Sequence, residues 1–431
     1  MSRRLAACRP ACMSFTYAMT TYSVSLPARL CGTVTLPASK SISARALVIS
    51  ALAGAPEPEG LSDCDDTRVL RHALAERPDV VDIHAAGTAM RFSTAYFAAT
   101  AGTHTVTGTD RMKRRPIGVL VDALRRLGAG IDYAGAEGFP PLRVTGHRLH
   151  GGTLSIPAHV SSQYVSALLM VAPLMAGGLT LRLEGEIVST PYIDMTLSLM
   201  RAYGARAAWD DARTLRVEAG GYRNDVRFSV EPDWSAASYW YELVALSPDP
   251  GARIVLPGLR PESVQGDSAV SGRFAALGVG TAFTPEGAVL AKEAPTGALE
   301  TDFTACPDLA QTFVVTSAML GRPFRFTGLQ SLRIKETDRL AALQTECAKL
   351  GLRLSADDRS IRTAGECPVA GAQPVIATYE DHRMAMAFAP CAYRFPGLRI
   401  ADPGVVSKSY PTFWNDLRAI GADVREVNDC Q

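Results

Sequence analysis

Five segments of the chain end a helix in the same way, at a nearly fixed interval. Residues 124–128, 199–204, 274–278, 347–351 and 417–421 each carry an apolar helix end and then a glycine, with a short strand following. These glycines recur every 70 to 76 residues. A helix stops cleanly where the residue beyond its end turns left-handed, a conformation that glycine takes without steric cost. One such ending is ordinary in an α/β chain, but five at a near-constant interval define a repeat. A degenerate sixth copy at 70–75 lacks the glycine. The pattern predicts about six α/β units, three per domain. A length of 431 residues accommodates two domains with ample core.

Charge and cysteine usage narrow the function. The formal net charge is +1, so no basic surplus points to nucleic acid. Nine cysteines stand without paired or metal-ligand spacing, and seven histidines are dispersed. That pattern predicts reduced thiols in a cytoplasmic protein, with no disulfide framework and no metal. Residues 1–19 read as a disordered extension, because Arg3 and Arg4 precede no signal-peptide core. The uncharged run 164–181 has the length of a membrane span, but Pro173 and Gly177-Gly178 interrupt it. A buried helix, a turn and a strand are expected there.

Charge gathers where helices should begin. Arg333, Lys335, Glu336, Asp338 and Arg339 lead into Leu340, Leu343, Cys347 and Leu350, which follow at helical spacing. The positive end of a helix dipole favours carboxylates there and disfavours cations. Lys335 and Arg339 are therefore read as anion ligands, with Glu336 beside them to move a proton. Ser39-Lys40-Ser41 and Arg45 follow a strand carrying Val34 and Leu36 that is expected to end at Pro37. Strand, Ser/Lys turn and helix make a phosphate cradle, although no Walker A loop is present. Gly87 opens another helix and lets a ligand approach the backbone. Residues 110–116 hold four cations ahead of a helix with Pro116 at its start, and Arg115 is the one expected to face inward.

Further along, Ser161, Ser162 and Gln163 offer neutral hydrogen-bonding groups to a phosphate or a polyol. Ser189 and Tyr192 flank a capped start with Pro191. The stretch 233–239 is expected to mark a domain crossing, and Asp308 falls in the first turn of an apolar helix. Residues 380–386 and 406–413 repeat the theme. Stacked units with parallel helices would gather these starts on one side. Lys40, Arg45, Arg115, Lys335, Arg339, Arg383 and Lys408 would then converge on one cleft suited to small polyanions. Asp308 and Glu336 among them supply acid/base groups. No nucleophilic triad and no cofactor loop is present in the sequence.

An ordered set of motifs now becomes specific. It begins with Ser39-Lys40-Ser41-x-x-x-Arg45, Ala86-Gly87-Thr88-Ala89-Met90-Arg91 and Arg111-Met112-Lys113-x-Arg115-Pro116. Ser161-Ser162-Gln163, Ser189-x-Pro191-Tyr192-Ile193-Asp194, Gln265-Gly266-Asp267 and Pro307-Asp308 follow. Lys335-Glu336-Thr337-Asp338-Arg339, Asp381-His382-Arg383-Met384-Ala385-Met386 and Lys408-Ser409-Tyr410-Pro411 complete it. From about Thr21 onward the chain resembles the 3-phosphoshikimate 1-carboxyvinyltransferases, or EPSP synthases.

The resemblance implies an α/β, two-domain enolpyruvyltransferase fold, each domain built from three βαβαββ units, with the active site in the cleft between them. Residues 39–231 should form the first domain; 20–38 plus 232–431 should form the second. The implied reaction moves the enolpyruvyl group of phosphoenolpyruvate onto the 5-hydroxyl of shikimate 3-phosphate and releases phosphate. No cofactor and no metal is implied, and a cytoplasmic monomer is expected, with no nucleic-acid or membrane partner. Shikimate 3-phosphate should meet Lys40, Ser41, Arg45, Ser161, Ser162, Gln163, Ser189, Tyr192, Asp308, Ser331 and Lys335. Phosphoenolpyruvate should meet Lys40, Gly87, Arg115, Gln163, Arg339, Arg383 and Lys408. Asp308 should take the proton of the attacking hydroxyl. Glu336, with Lys40 or Lys408, should protonate the methylene carbon and later remove a proton.

Three positions depart from the common pattern. Ser331 stands where Asn is frequent, Ala85 replaces an Asn ahead of Gly87, and Phe92 replaces a Pro after Arg91. The bulk of Phe92 is expected to narrow the phosphoenolpyruvate site. Two alternatives differ from this reading. A UDP-N-acetylglucosamine enolpyruvyltransferase shares fold and donor but generally carries a reactive Cys on a mobile loop, and residues 110–116 hold none. A non-catalytic anion-binding protein would not need both carboxylates.

Overall fold

A computed structural model describes residues 20–158, 161–297, 299–365 and 374–427. The extension 1–19, with Cys8 and Cys12, lies outside the described residues, as do Cys367 and Cys430. Among the described residues five four-stranded sheets share one topology. In each, a parallel pair is followed by two antiparallel neighbours. Val80–Asp82 runs parallel to Gly102–Thr107, which pairs antiparallel with Leu142–Gly146, which in turn pairs with Gly130–Tyr133. Gly152–Pro157, Leu179–Glu184, Thr214–Val217 and Ala207–Trp209 repeat that order. So do Leu299–Asp302, Phe324–Thr327, Ile361–Thr363 and Ser355–Ala356. In chain order each of these sheets, with its two helices, spells one βαβαββ unit.

Two sheets borrow strands from the start of the chain. Cys31–Thr33 supplies the parallel neighbour of Arg253–Pro257. Thr21–Ser25 inserts between Leu398–Ala401 and Asp423–Val427, antiparallel to both. The sixth unit is incomplete in structure as in sequence. Its helices Lys40–Ala53 and Asp65–Glu76 are present, but its strands reduce to the single bridges Ala38↔Pro232 and Glu59↔Ser229.

Two separate apolar cores result. One draws on residues 42–217 and the other on 24–36 and 234–424. Helices fill the middle of each. Ala310–Met319 is buried on every side, and Ser162–Val171 everywhere except at Gln163. A helix apolar all round belongs inside, which explains why these segments lack an amphipathic stripe. The sheets cover the outside, and their strands alternate buried and exposed positions, as in Leu142–Gly146 and Leu179–Glu184. No helix among the described residues is long and apolar enough to cross a membrane. The run 164–181 is a buried helix, a 3₁₀ turn over Ala172–Leu174 and the start of a strand.

The repeat glycines sit where their spacing places them. Gly128, Gly204, Gly278, Gly351 and Gly421 have φ of 101°, 84°, 84°, 78° and 94°. In the degenerate copy Arg77 takes that position with φ 47°, its amide donating to the carbonyl of Ala73. Three local expectations shift. The strand read through Leu36 ends at Thr33, although the amide of Val34 still donates to Val255 at 2.9 Å. The helix expected from Pro116 begins at Gly118, because residues 112–114 form a 3₁₀ turn first. Ser189 does not cap its helix through its side chain; it is left-handed, with φ 58°.

Glu242 is a cost inside the second core. It is fully buried, and that burial pushes its carboxyl well above the ordinary value of 4.5. The unfolded chain ionises Glu242 near 4.5 while the folded protein keeps it protonated. Its contribution is therefore greatest below that pH and is lost as pH rises towards the folded value. Glu242→Gln should flatten the fall of melting temperature as pH rises above the unfolded value of 4.5. An unaltered pH slope would contradict this.

Candidate active site

The chain crosses between the two cores at residues 37–39 and 231–233. The amide of Ser39 donates to Glu231 at 2.8 Å, and that of Asp233 to Pro37 at 2.9 Å. Gln265 fixes the crossing, its side-chain amide donating to Pro232 and Glu231 at 2.8 Å each. Helix starts from both cores face each other beside this crossing. Between them lies one cavity lined by Lys40, Ser41, Arg45, Gly87, Arg115, Ser161, Ser162, Gln163, Ser189, Tyr192, Asp308, Ser331, Lys335, Glu336, Arg339 and Arg383. These are the residues expected from the sequence, with one exception. Lys408 ends a 3₁₀ turn, Pro403–Lys408, and opens no helix. It lines an adjoining cavity, and its Nζ lies 3.8 Å from Glu336 Oε1.

Asp308 and Arg339 are the hub. Asp308 receives Arg339 Nη1 at 3.0 Å, Arg383 Nη2 at 3.2 Å and Lys335 Nζ at 3.6 Å. The Tyr192 hydroxyl donates to it at 3.3 Å from the opposite wall. Arg339 is fully buried and also meets Asp381 at 2.7 Å and Glu336 at 2.8 Å. Asp338 does not join the site; it caps the helix Arg339–Lys349 by accepting from the amide of Ala341. Burial works to raise the Asp308 carboxyl, yet Arg383, Lys335 and Arg339 hold it well below its ordinary range. Glu336 behaves alike: burial opposes ionisation, and Arg339, Lys408 and Arg115 outweigh it. Both carboxylates are therefore ionised.

The opposite wall holds cations without such partners. Arg45 donates to Thr196 at 2.7 Å, Ser166 at 3.1 Å and the carbonyl of Ser41 at 3.0 Å, all neutral. Arg91 donates to the carbonyls of Gly87 and Pro116 at 3.0 Å each. Burial pulls each guanidinium down to about 10. Phe92 is wholly buried, with the Arg45 guanidinium 5.4 Å from its ring centre, and it lines neither cavity. Its ring packs against Arg45 and does not itself line the site. A Cβ at Gly87 would lie 2.5 Å from Arg115 Nη1, so a larger residue there must push the end of that side chain aside.

Four contributors were not assigned from the sequence. Asp66 binds Lys40 Nζ at 3.1 Å; burial would lower the Lys40 ammonium, but Asp66 leads the carboxylates that hold it protonated. Asp233 accepts from the Lys40 amide at 3.0 Å. His382 is buried and kept neutral, by burial first and then by Lys40 and Arg383. Arg91 ties the loops of Gly87 and Arg115 together. Nothing in the linear sequence marks Asp66, whose place in a first helical turn reads as dipole complementarity.

Seven cations and four carboxylates line the main cavity. The surplus positive charge is buried, and it calls for an anionic ligand with more than one charged group. Among the described residues no cluster of His, Cys, Asp or Glu is placed to hold a metal ion. Fold and site together define an enzyme-type cleft between two repeat domains, built to hold small polyanions against two ionised carboxylates. The profile of the EPSP synthase (3-phosphoshikimate 1-carboxyvinyltransferase) family matches residues 57–417. The chain belongs to that family.

Its relatives agree along nearly the whole length. The 3-phosphoshikimate 1-carboxyvinyltransferase of Bacteroides fragilis is 54% identical over 407 residues, covering 94% of this chain and 98% of that one. The Bordetella parapertussis protein of the same name is 37% identical over 419 residues, covering 89% and 94%. The solved EPSP synthase of Acinetobacter baumannii superposes with a TM-score of 0.74 at 21% identity, over 94% of this chain and all of that one.

Proposed function

We propose that this chain transfers the enolpyruvyl group of phosphoenolpyruvate to the 5-hydroxyl of shikimate 3-phosphate, as a cytoplasmic monomer whose two domains comprise residues 39–231 and 20–38 plus 232–431. Membership of the family carries the reading, and the pairing of Asp308 and Glu336 with the surrounding cations supports it. Arg45, Ser161, Ser162, Ser189, Tyr192, Ser331 and Lys335 hold shikimate 3-phosphate. Arg115, Arg339 and Arg383 take phosphoenolpyruvate, whose carboxylate suits a guanidinium fork. Lys40 and Gln163 lie between the two sets.

The acceptor hydroxyl adds to C2 of phosphoenolpyruvate and Asp308 takes its proton. An acid, Glu336 with Lys40 or Lys408, delivers a proton to C3, giving a tetrahedral intermediate. Loss of phosphate and of a methyl proton then restores the double bond. The cations around Asp308 and Glu336 set how readily each takes up a proton. A carboxylate held by three cations is a poor base. Bound phosphates and carboxylates compete for the same cations, so substrate binding should raise both carboxyls towards working values.

The deciding experiment mixes purified protein with both substrates and follows phosphate release. Release that requires both substrates is expected; none in a folded protein that binds shikimate 3-phosphate would leave an anion-binding protein instead. Gly87→Ala probes the donor side. The added methyl displaces Arg115, and a misplacement of this scale costs about 10–10²-fold in kcat/KM for phosphoenolpyruvate. The Kd of shikimate 3-phosphate should not move. Equal losses for both substrates would contradict the division of the site.

A further inference from the structure

A second cavity of about 430 Å³ adjoins the first. Its near wall is the turn preceding Gly87 together with Val69 and Met112; its far wall is Glu380, Val405 and Lys408. The walls touch at two points. Arg111 Nη1 lies 3.8 Å from Glu380 Oε2, and the Ser407 hydroxyl bonds the Asp65 carboxylate. Asp66, Arg115 and Glu336 line both cavities, so the two spaces meet there. Lys408 lines only the second, whereas Arg45, Ser162 and Lys335 line only the first.

We propose that the second cavity is a port through which phosphoenolpyruvate reaches Arg115 and Lys408, and through which phosphate leaves, while shikimate 3-phosphate stays seated in the first. The inference rests on the enolpyruvyl-transfer reading. Cations stand at both ends of the passage, Arg111 at the mouth and Arg115 with Lys408 at the junction. The rest of the lining mixes Arg68 with the carboxylates Asp65, Asp66 and Glu380 and the apolar Val69, Ile83, Met112 and Val405, so an anion is drawn in but is not held there. Ala85 presents only a methyl group to this cavity. The Arg111–Glu380 pair crosses the mouth, is largely exposed and can part without separating the domains.

The test uses two plugs, Ala85→Phe and Val405→Trp, and one gate variant, Glu380→Gln. Rapid mixing measures phosphoenolpyruvate association and phosphate release at saturating shikimate 3-phosphate. Each plug should slow both steps by about tenfold or more, with the Kd of shikimate 3-phosphate unchanged by calorimetry. Glu380→Gln should speed association and steepen its fall with salt, because Arg111 then attracts the anion unopposed. A plug that binds shikimate 3-phosphate normally and keeps wild-type rates overturns the port. If neither plug folds, an unaltered association rate and salt dependence in Glu380→Gln overturn it. Failure of the wild type to release phosphate would instead remove the underlying reading.

Discussion

Asp308→Asn is expected to lower kcat by at least about 10²-fold, the scale of a lost general base. Shikimate 3-phosphate should bind as tightly as before or more tightly. The substitution keeps the shape of the group that receives Arg339, Arg383 and Lys335, and removes a negative charge that opposes a dianionic ligand. Stability separates this outcome from a purely structural role. A carboxylate that served only its helix dipole would cost about 0.3–1 kcal/mol when lost, with little change in rate. Turnover, calorimetry and melting temperature on the one variant discriminate the cases. A folded Asp308→Asn protein with near-normal kcat would overturn the assignment.

Arg339→Ala should be the most damaging single change in the cleft. The guanidinium is fully buried and meets Asp381, Asp308 and Glu336 at 2.7, 3.0 and 2.8 Å. Truncating it exposes three carboxylates, of which Asp308 and Glu336 have other cationic partners while Asp381 keeps only the backbone amide of Arg383 and the neutral His382 ring. Breaking a buried pair from one side costs about 3–5 kcal/mol. Activity should be lost with it, since the donor carboxylate loses its fork and Glu336 loses its nearest cation. Chemical denaturation read together with turnover checks both halves. A variant of wild-type stability would show that the network is better solvated than its burial implies.

Much of this was legible because glycine has few substitutes. The five repeat endings need a left-handed residue, and the sequence advertises that need with one letter. The sixth ending was obscured because Arg77 adopts the same backbone at φ 47°, which no composition rule anticipates. Helix starts that carry cations announced most of the cleft, since a cation there is unfavourable unless an anion sits beyond it. Lys408 fell outside that logic, reaching Glu336 from the end of a 3₁₀ turn. Asp66 and His382 were missed for a different reason. Their roles come from neighbours that are distant in the chain or supplied by other elements, such as Lys40 beside Asp66, and linear spacing carries no record of such pairs. Phe92 was read by its neighbour in sequence, whereas its ring faces Arg45 across the helix layer.

The strand Thr21–Ser25 has a consequence for the order in which this molecule comes into being. It pairs with Ala401 and Val427 through Thr21, so a strand near the start of the chain waits for almost the last residues. A ribosome adds about 5–20 residues per second, and a domain folds as a unit once its residues have emerged. The core drawn from 42–217 contains everything it needs midway through synthesis. Its partner does not, because its final sheet lacks the edge strand Asp423–Val427 until the end of the chain appears. During that interval Thr21–Ser25 presents an unpaired edge, a template for other chains. Nascent-chain proteolysis should therefore find the inserted half protected early and the enclosing half only at release.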